Sequence, residues 1–383
     1  MDFDFSDDQE MLRDSVRKWT DKGYDFERRR AIVKAGGFSA EAWGELAGLG
    51  LTGLQVPEDN GGMASSTMGS PIDAMVVMEE LGRGLVMEPF AAVALVATHL
   101  LKAGNAPSTA LWLGGIADGS ARVVLAHQER GARYSLAHVT TTADKASGTW
   151  QLSGAKSIVP AGEHANAFIV PARVHGAADD TAGIALFLVS KGVAGVTVRG
   201  YPTQDGACAA ELALAQADAI ELLPPGEAFA ALEHAIDIGI AAVCAEAVGL
   251  MDRLVAVTVD YMNQRKQFNV TIATFQALRH RIADVKMQLE LARSMSYFAS
   301  LKLGEPSDAR RRALAQAKLQ VGQSMRFVGQ QCIQLHGGIG VTDEYAASHY
   351  FKRLTVIEMS FGDTMFHLGE VSARMQDTAG VFA

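Results

Sequence analysis

One carboxylate stands alone in the most apolar helical stretch of this 383-residue chain. Glu246 is the only charge within Ile240-Ala241-Ala242-Val243-Cys244-Ala245-Glu246-Ala247-Val248-Gly249-Leu250. At helical spacing its face includes Gly239, Ala242 and Gly249, a strip of small residues. Burial there would raise its pKa towards neutrality, as a base acting on a weak acid requires. The plainer alternative is a buried glutamate paired with an arginine, the small residues serving close helix packing. Arg265 lies just past the same helical run, in Gln264-Arg265-Lys266-Gln267-Phe268, with Phe275-Gln276 following. A guanidinium offers bidentate donors to phosphate, although alone at a helix end it is most simply an exposed side chain. Near the C-terminus stands Gln334-Leu335-His336-Gly337-Gly338-Ile339-Gly340. Glycines let a backbone approach a ligand, but these follow an apolar helical run and not a strand, so they form no dinucleotide-binding turn. A helix C-cap explains them equally well. His336 can act as acid or base, yet before two glycines its role is structural or at a cofactor's edge.

Composition narrows what such residues can serve. Hydrophobic residues make up 49% and charged residues 20%, ordinary for a globular chain that divides into two or three packed units. A net charge of -9 argues against a nucleic-acid surface. The basic run Arg310-Arg311-Arg312 follows Asp308 and reads as a solvated helix face or an interface patch. Cys208, Cys244 and Cys332 are too scattered for a disulfide framework or a zinc site, and no metal is expected. The acidic start from Asp2 to Glu10 lacks a secretory pattern. Apolar segments around Phe90 to Leu101 and Ile238 to Leu250 are too short to span a bilayer. A cytoplasmic location is expected.

The elements that must position these residues change character twice. To about Gly119 the chain reads as helices, with Ser6 as a cap, a turn at Pro57 to Gly62 and a helix opening at Pro71. From Ala121, short apolar runs at Val123 to Ala126, Thr149 to Leu152, Ala167 to Val170, Ala185 to Val189 and Gly195 to Val198 predict a β domain, closed by Pro224-Pro225-Gly226-Glu227. Helical periodicity then returns over Ala230 to Arg265, Thr274 to Leu303, Asp308 to Leu335 and Asp363 to Met375, which predicts a four-helix bundle.

Taken together, Val77-Met78-Glu79-Glu80-Leu81-Gly82-Arg83, the Gln264 to Gln276 region and the Gln334 to Gly340 cluster resemble, in order and over the whole chain, the acyl-CoA dehydrogenase family of flavoproteins. The resemblance implies an α+β multi-domain fold: an N-terminal α-helical domain over 1–120, a middle β-barrel over 121–225 and a C-terminal four-helix bundle over 226–383. It implies FAD between barrel and bundle, with the adenosine end reaching a neighbouring subunit. Arg265, Gln267, Phe268 and Gln276 fall at positions that hold the nucleotide, and Gln334, Gly337 and Gly338 at those meeting the adenosine end. The implied activity is α,β-dehydrogenation of an acyl-CoA thioester, with electrons passing to an electron-transfer flavoprotein, in a homotetramer or a heterotetramer with a sister subunit.

The same resemblance exposes departures. Ser360-Phe361-Gly362-Asp363 falls where common members carry their catalytic glutamate before a glycine, and Phe361 takes no proton. Some members keep the base on the helix that carries Glu246, which makes Glu246 the catalytic candidate; its small-residue face would leave room for an acyl chain. Glu358 is a weaker candidate, and Asp363 reads as an N-cap. Where relatives place Thr-Glu-Pro and Trp-x-Thr segments against the flavin ring, this chain has Ala126-His127-Gln128-Glu129-Arg130 and Lys156-Ser157-Ile158-Val159-Pro160. Gln128 and the Val159 backbone remain able to meet the ring edge. These departures resemble the bacterial small-subunit type, such as the pimeloyl-CoA dehydrogenase small subunit. Two further readings follow: a non-catalytic subunit that completes a neighbour's site, or the same fold used by a flavin monooxygenase or nitroalkane oxidase.

Overall fold

The computed structural model describes residues 5–65, 69–104, 108–146 and 148–376. Its first helix, α1 (Asp7–Gly23), begins at a capping box: Gln9 N donates to Ser6 Oγ while Ser6 N donates to the Gln9 side chain. Asp7, Asp8 and Glu10 sit at its positive end. Then come α2 (Phe26–Lys34), α3 (Ala40–Gly48) and α4 (Pro71–Arg83). A π-helical stretch, Ala91–Ala97, leads into α5 (Thr98–Ala103), and α6 (Thr109–Ala117) ends the first helical region.

Seven strands follow: β1 (Val123–Leu125), β2 (Thr142–Ala146), β3 (Thr149–Pro160), β4 (Ala167–Arg173), β5 (Ile184–Ser190), β6 (Val196–Pro202) and β7 (Cys208–Leu223). β4 pairs with β5, β5 with β7, β7 with β3, β3 with β2, and β2 returns to β4, so the sheet closes into a barrel. β1 joins β4 and β6 joins β7 as additions to this ring. Closure leaves few edges to protect. Every residue of β4 is buried, which is why it reads as an unbroken apolar run and not as an alternation.

The chain then enters α7 (Ala228–Gln264), passes a hairpin of β8 (Lys266–Gln267) and β9 (Val270–Thr271), and continues as α8 (Gln276–Lys302), α9 (Ser307–His336), α10 (Ala346–Met359) and α11 (Thr364–Gln376). α9 packs against α8, α10 and α11. Packing divides the chain along lines that differ from sequence order. One compact unit joins Met1–Arg30 and Pro71–Val86 to Ile240–Ala383; the other holds Ala31–Ser70 and Met87–Gly239.

Within the first unit, the Val77 to Arg83 motif serves packing. Glu80 is buried and accepts from Arg17 Nη2 at 2.5 Å and Arg83 Nε at 2.8 Å. Glu79 pairs with Arg293, which also reaches Asp252 at 3.1 Å. A Cβ at Gly82 would overlap the Glu246 carbonyl, and one at Gly249 the Glu79 carbonyl. Glycine at both positions therefore permits α4 and α7 to touch backbone to backbone.

Candidate functional site

The nucleotide candidates gather at one end of the bundle. Phe268 and Asn269 have φ of 54° and 64°, two consecutive left-handed residues that make the tight turn between β8 and β9. An aromatic residue rarely adopts that conformation, and Phe268 is also 86% exposed. Arg265, Gln267 and Gln276 are exposed on the same connection, and the Arg265 side chain makes no ion pair among the described residues. Met262, Ile272 and Leu335 form a buried cluster that ties this connection to the end of α9.

There, Gln334, Gly337 and Gly338 are exposed, Gly337 has φ 64°, and a Cβ at either glycine would meet nothing. His336 is buried and stacks on Tyr261, with ring centroids 4.7 Å apart. Its Nδ1 lies 2.8 Å from the Cys332 carbonyl and so carries the proton. Its Nε2 is then a buried acceptor with no partner among the described residues. Burial pushes the His336 pKa down, which keeps the ring neutral. An unpaired guanidinium, an exposed aromatic ring, an open glycine backbone and an orphaned acceptor together fit a phosphate-bearing aromatic ligand such as FAD.

In the second unit, Gln128 O accepts from Ser157 N at 2.8 Å, which places Gln128 beside the Ser157 to Val159 segment. The ladder between β3 and β7 slips between Lys156 and Val159, a bulge that leaves Ile158 at φ 52° and exposed while Val159 stays buried opposite Ala210. Sequence alone did not reveal this bulge. The adjoining Glu129 is a hub: its carboxylate accepts from Lys156 Nζ at 2.7 Å, from Thr140 N at 2.8 Å, and from Thr141 N and Oγ1 at 3.1 and 2.8 Å. Burial opposes its ionisation, but Lys156 and Thr140 outweigh that and hold its pKa at about 2. Arg173 donates to the carbonyls of Val139, Ala178 and Asp180 and pins the far end of the same loop. Beside Glu129 lies a cavity of about 510 Å³ lined by Arg130, His138, Lys156, Ser157, Arg199 and Glu211.

Glu246 requires a correction. It is 3% exposed, and both carboxylate oxygens are taken by one guanidinium: Arg353 Nε reaches Oε1 at 2.5 Å and Nη2 reaches Oε2 at 2.8 Å. With both oxygens held by the guanidinium fork, the carboxylate has no free oxygen to offer a substrate. The small residues beside it leave no room for an acyl chain at Gly249, because α4 fills that face. The arrangement is that of a structural ion pair.

Phe361 occupies the loop between α10 and α11. Glu358 is committed to that loop, with Thr364 N and Oγ1 donating to its Oε1 at 3.1 and 2.8 Å. Asp363 caps α11 through Phe366 N at 2.8 Å. Two partners escaped the sequence reading: Lys318, a fully buried lysine of α9, and His367, buried at the first turn of α11. Burial lowers the Lys318 pKa to about 8 and that of His367 to about 4. A lysine among Ala315, Ala317 and Leu319 was the available signal. Among the described residues no cluster of His, Cys, Asp and Glu is placed to hold a metal, and no helix is long and apolar enough to cross a membrane.

Three domain models of one family match this chain in order: acyl-CoA dehydrogenase N-terminal domain at residues 6–120, middle domain at 125–218 and C-terminal domain at 228–376. Acryloyl-CoA reductase (NADH) of Anaerotignum propionicum is 25% identical over 381 residues, covering 96% of this chain and 94% of its own. The probable acyl-CoA dehydrogenase YngJ of Bacillus subtilis is 26% identical over 371 residues, covering 94% and 96%. A solved structure, a variant of the Tcur3481-Tcur3483 steroid ACAD, is 27% identical with a TM-score of 0.86, covering 97% of this chain and 98% of that one.

Proposed function

Because the chain belongs to the acyl-CoA dehydrogenase family of oxidoreductases acting on CH–CH groups, we propose that it serves FAD-dependent α,β-dehydrogenation of an acyl-CoA thioester as one subunit of a mixed assembly whose sister chain carries the α-proton base. The observation that carries this reading is the pairing of Phe361, at the usual base position, with a Glu246 already occupied by Arg353. A two-component name for one structural relative, the Tcur3481-Tcur3483 steroid ACAD, supports a mixed assembly. FAD would supply the hydride acceptor. Arg265 would hold its pyrophosphate, Phe268, Gln267 and Gln276 the adjoining nucleotide, and Gln334, Gly337 and Gly338 the adenosine end. Gln128 and the Val159 backbone would border the ring. Electrons would leave to an electron-transfer flavoprotein, in the cytoplasm.

The base must remove the proton α to the thioester as the β-hydride departs. Glu246 serves α7–α10 packing in this proposal, and the base is assigned to the sister chain. The test is turnover of the purified chain, with and without its sister subunit, against a panel of acyl-CoAs with a ferrocenium acceptor. Turnover only in the mixed sample is expected. Full turnover by the chain alone, undiminished in Glu246→Gln, would refute the assignment of the base to a sister.

A further inference from the structure

His349 of α10 is buried with both ring nitrogens engaged. Arg29 Nη1, from α2, lies 2.9 Å from Nδ1, while Nε2 lies 3.0 Å from the Asp343 carbonyl. A guanidinium only donates and a carbonyl only accepts, so Nδ1 is bare and Nε2 carries the proton. The ring is neutral in this geometry. The same Arg29, 1% exposed, donates from Nε to the Leu85 carbonyl at 3.3 Å. Leu85 closes the turn after α4 at φ 54°, a left-handed conformation that persists only where its surroundings hold it. The neighbouring Tyr350 hydroxyl donates to Arg83 O at 2.8 Å. Thus α10 grips this turn twice, directly through Tyr350 and at second hand through His349 and Arg29. A proton added at Nδ1 turns that acceptor into a donor, removes the bond from Arg29 and sets two cations side by side away from water. Of the charged groups that face the ring, Arg29 on α2 and Lys352 on α10 oppose the proton, and Asp343 favours it. Asp343 is itself engaged by Lys352 Nζ at 2.6 Å and lies near Arg30. Phe26 meets the ring edge-on, with centroids 5.0 Å apart. Burial, with Arg29 and Lys352 behind it, pushes the His349 pKa down against the pull of Asp343.

We propose that His349 is a proton-operated latch between α2 and α10: the neutral ring holds Arg29 and through it the Leu85 turn, and a proton at Nδ1 releases both. The latch is closed above the ordinary histidine value of about 6.5 and opens as pH falls below it, because the folded ring resists the proton that the unfolded one accepts. Release is selective. The protonated ring still donates from Nε2 to the Asp343 carbonyl, and Ser348 Oγ still donates to Thr342 O at 2.7 Å, so the Thr342 to Tyr345 loop stays in place while α2 loosens.

The experiment is amide hydrogen exchange of the full chain at about pH 7.5 and about pH 5, on either side of histidine's ordinary value, read peptide by peptide and corrected for the intrinsic rate at each pH. Protection of α2 and of the Leu85 turn is expected to fall about ten- to a hundredfold at the lower pH, as loss of one hydrogen bond from a charged donor implies, while α8 and the Thr342 to Tyr345 loop keep theirs. His349→Gln offers Arg29 an amide oxygen but takes no proton, so its α2 should be equally protected at both pH values. The proposal is overturned if wild-type α2 loses no more protection than α8, which would mark a general loosening by acid, or if His349→Gln shows the wild-type fall. Should His349→Gln fail to fold, the wild-type comparison still decides. Arg29→Met then supplies the second arm: without the guanidinium, α2 should be loose at both pH values, and a retained fall would overturn the latch.

Discussion

The bundle end carrying Arg265 and the loop carrying Phe361 are both built on left-handed backbone, yet they are finished in opposite ways. At the bundle end, Phe268 and Asn269 turn a short exposed hairpin, and the nearby Arg265 guanidinium and His336 Nε2 have no partner among the described residues. At the loop, the groups that define the turn act on it from inside the protein: Lys318 on three carbonyls, His367 Nε2 on one, Glu358 and Asp363 on the start of α11, with His367 Nδ1 left without a hydrogen bond among the described residues. An exposed guanidinium without an ion pair is free to meet a ligand, whereas an ammonium spent on three carbonyls holds a shape. The first region is the contact surface of the proposal and the second a scaffold. Glu246, bound at both oxygens by Arg353, belongs with the second.

That contrast breaks if scaffold variants change cofactor retention or if contact variants change stability. The largest effect is expected from Glu246→Ala, which strands Arg353. Breaking a buried pair costs roughly 3–5 kcal/mol, and since the Arg353 side chain keeps 27% exposure the loss should fall at the low end. Chemical denaturation measures it, with FAD content of the folded fraction unchanged. Acid titration of the barrel comes next. The Glu129 pKa is held at about 2, below its unfolded value of about 4.3, so its contribution is complete above the unfolded value and lost as pH falls towards 2. About two units correspond to about 3 kcal/mol, and Glu129→Gln should flatten this part of the stability–pH curve. Arg265→Ala should do the reverse of Glu246→Ala. A charge-assisted phosphate bond of about 1.5–3 kcal/mol makes FAD bind roughly ten- to a hundredfold more weakly by titration, with the melting curve of the FAD-free protein unmoved. The smallest effect is a gain: Phe361→Gly relieves about 1–2 kcal/mol of left-handed strain, of which the freer unfolded chain takes back about 0.4–1 kcal/mol, and should slightly raise the unfolding midpoint. A loss there would mean that the phenyl ring, and not Lys318 with His367, holds the loop.

Long elements with one dominant period were legible in the chain. Ser6 capped α1, Pro71 opened α4, and Asp363 capped α11, because caps depend on neighbours within a turn. The barrel's buried strands were visible as apolar runs, but β7 was not. Cys208 to Leu223 is rich in alanine and leucine, residues that favour helices. It becomes a strand because β3, β5 and β6 all pair with it, a tertiary demand that overrides propensity. The helix α10 also went unnoticed, since its polar residues are spent on partners remote in sequence, among them Glu246, and break the apolar periodicity.

The candidate site divides in the same manner. Residue types and their order determined the family and the helix-barrel-helix succession, since each depends on local spacing. Only the tertiary structure decided what Glu246 does. A lone carboxylate in an apolar helix has the same sequence whether it meets substrate or an arginine 107 positions away. The two outcomes differ in pairing, and pairing is a property of packed helices. Likewise, Gly249 reads as open space in sequence, whereas packing fills that space with the backbone of α4. The strain at Phe361 and the buried ammonium that holds it came from the fold alone, for no local pattern forces a phenylalanine to adopt a positive φ.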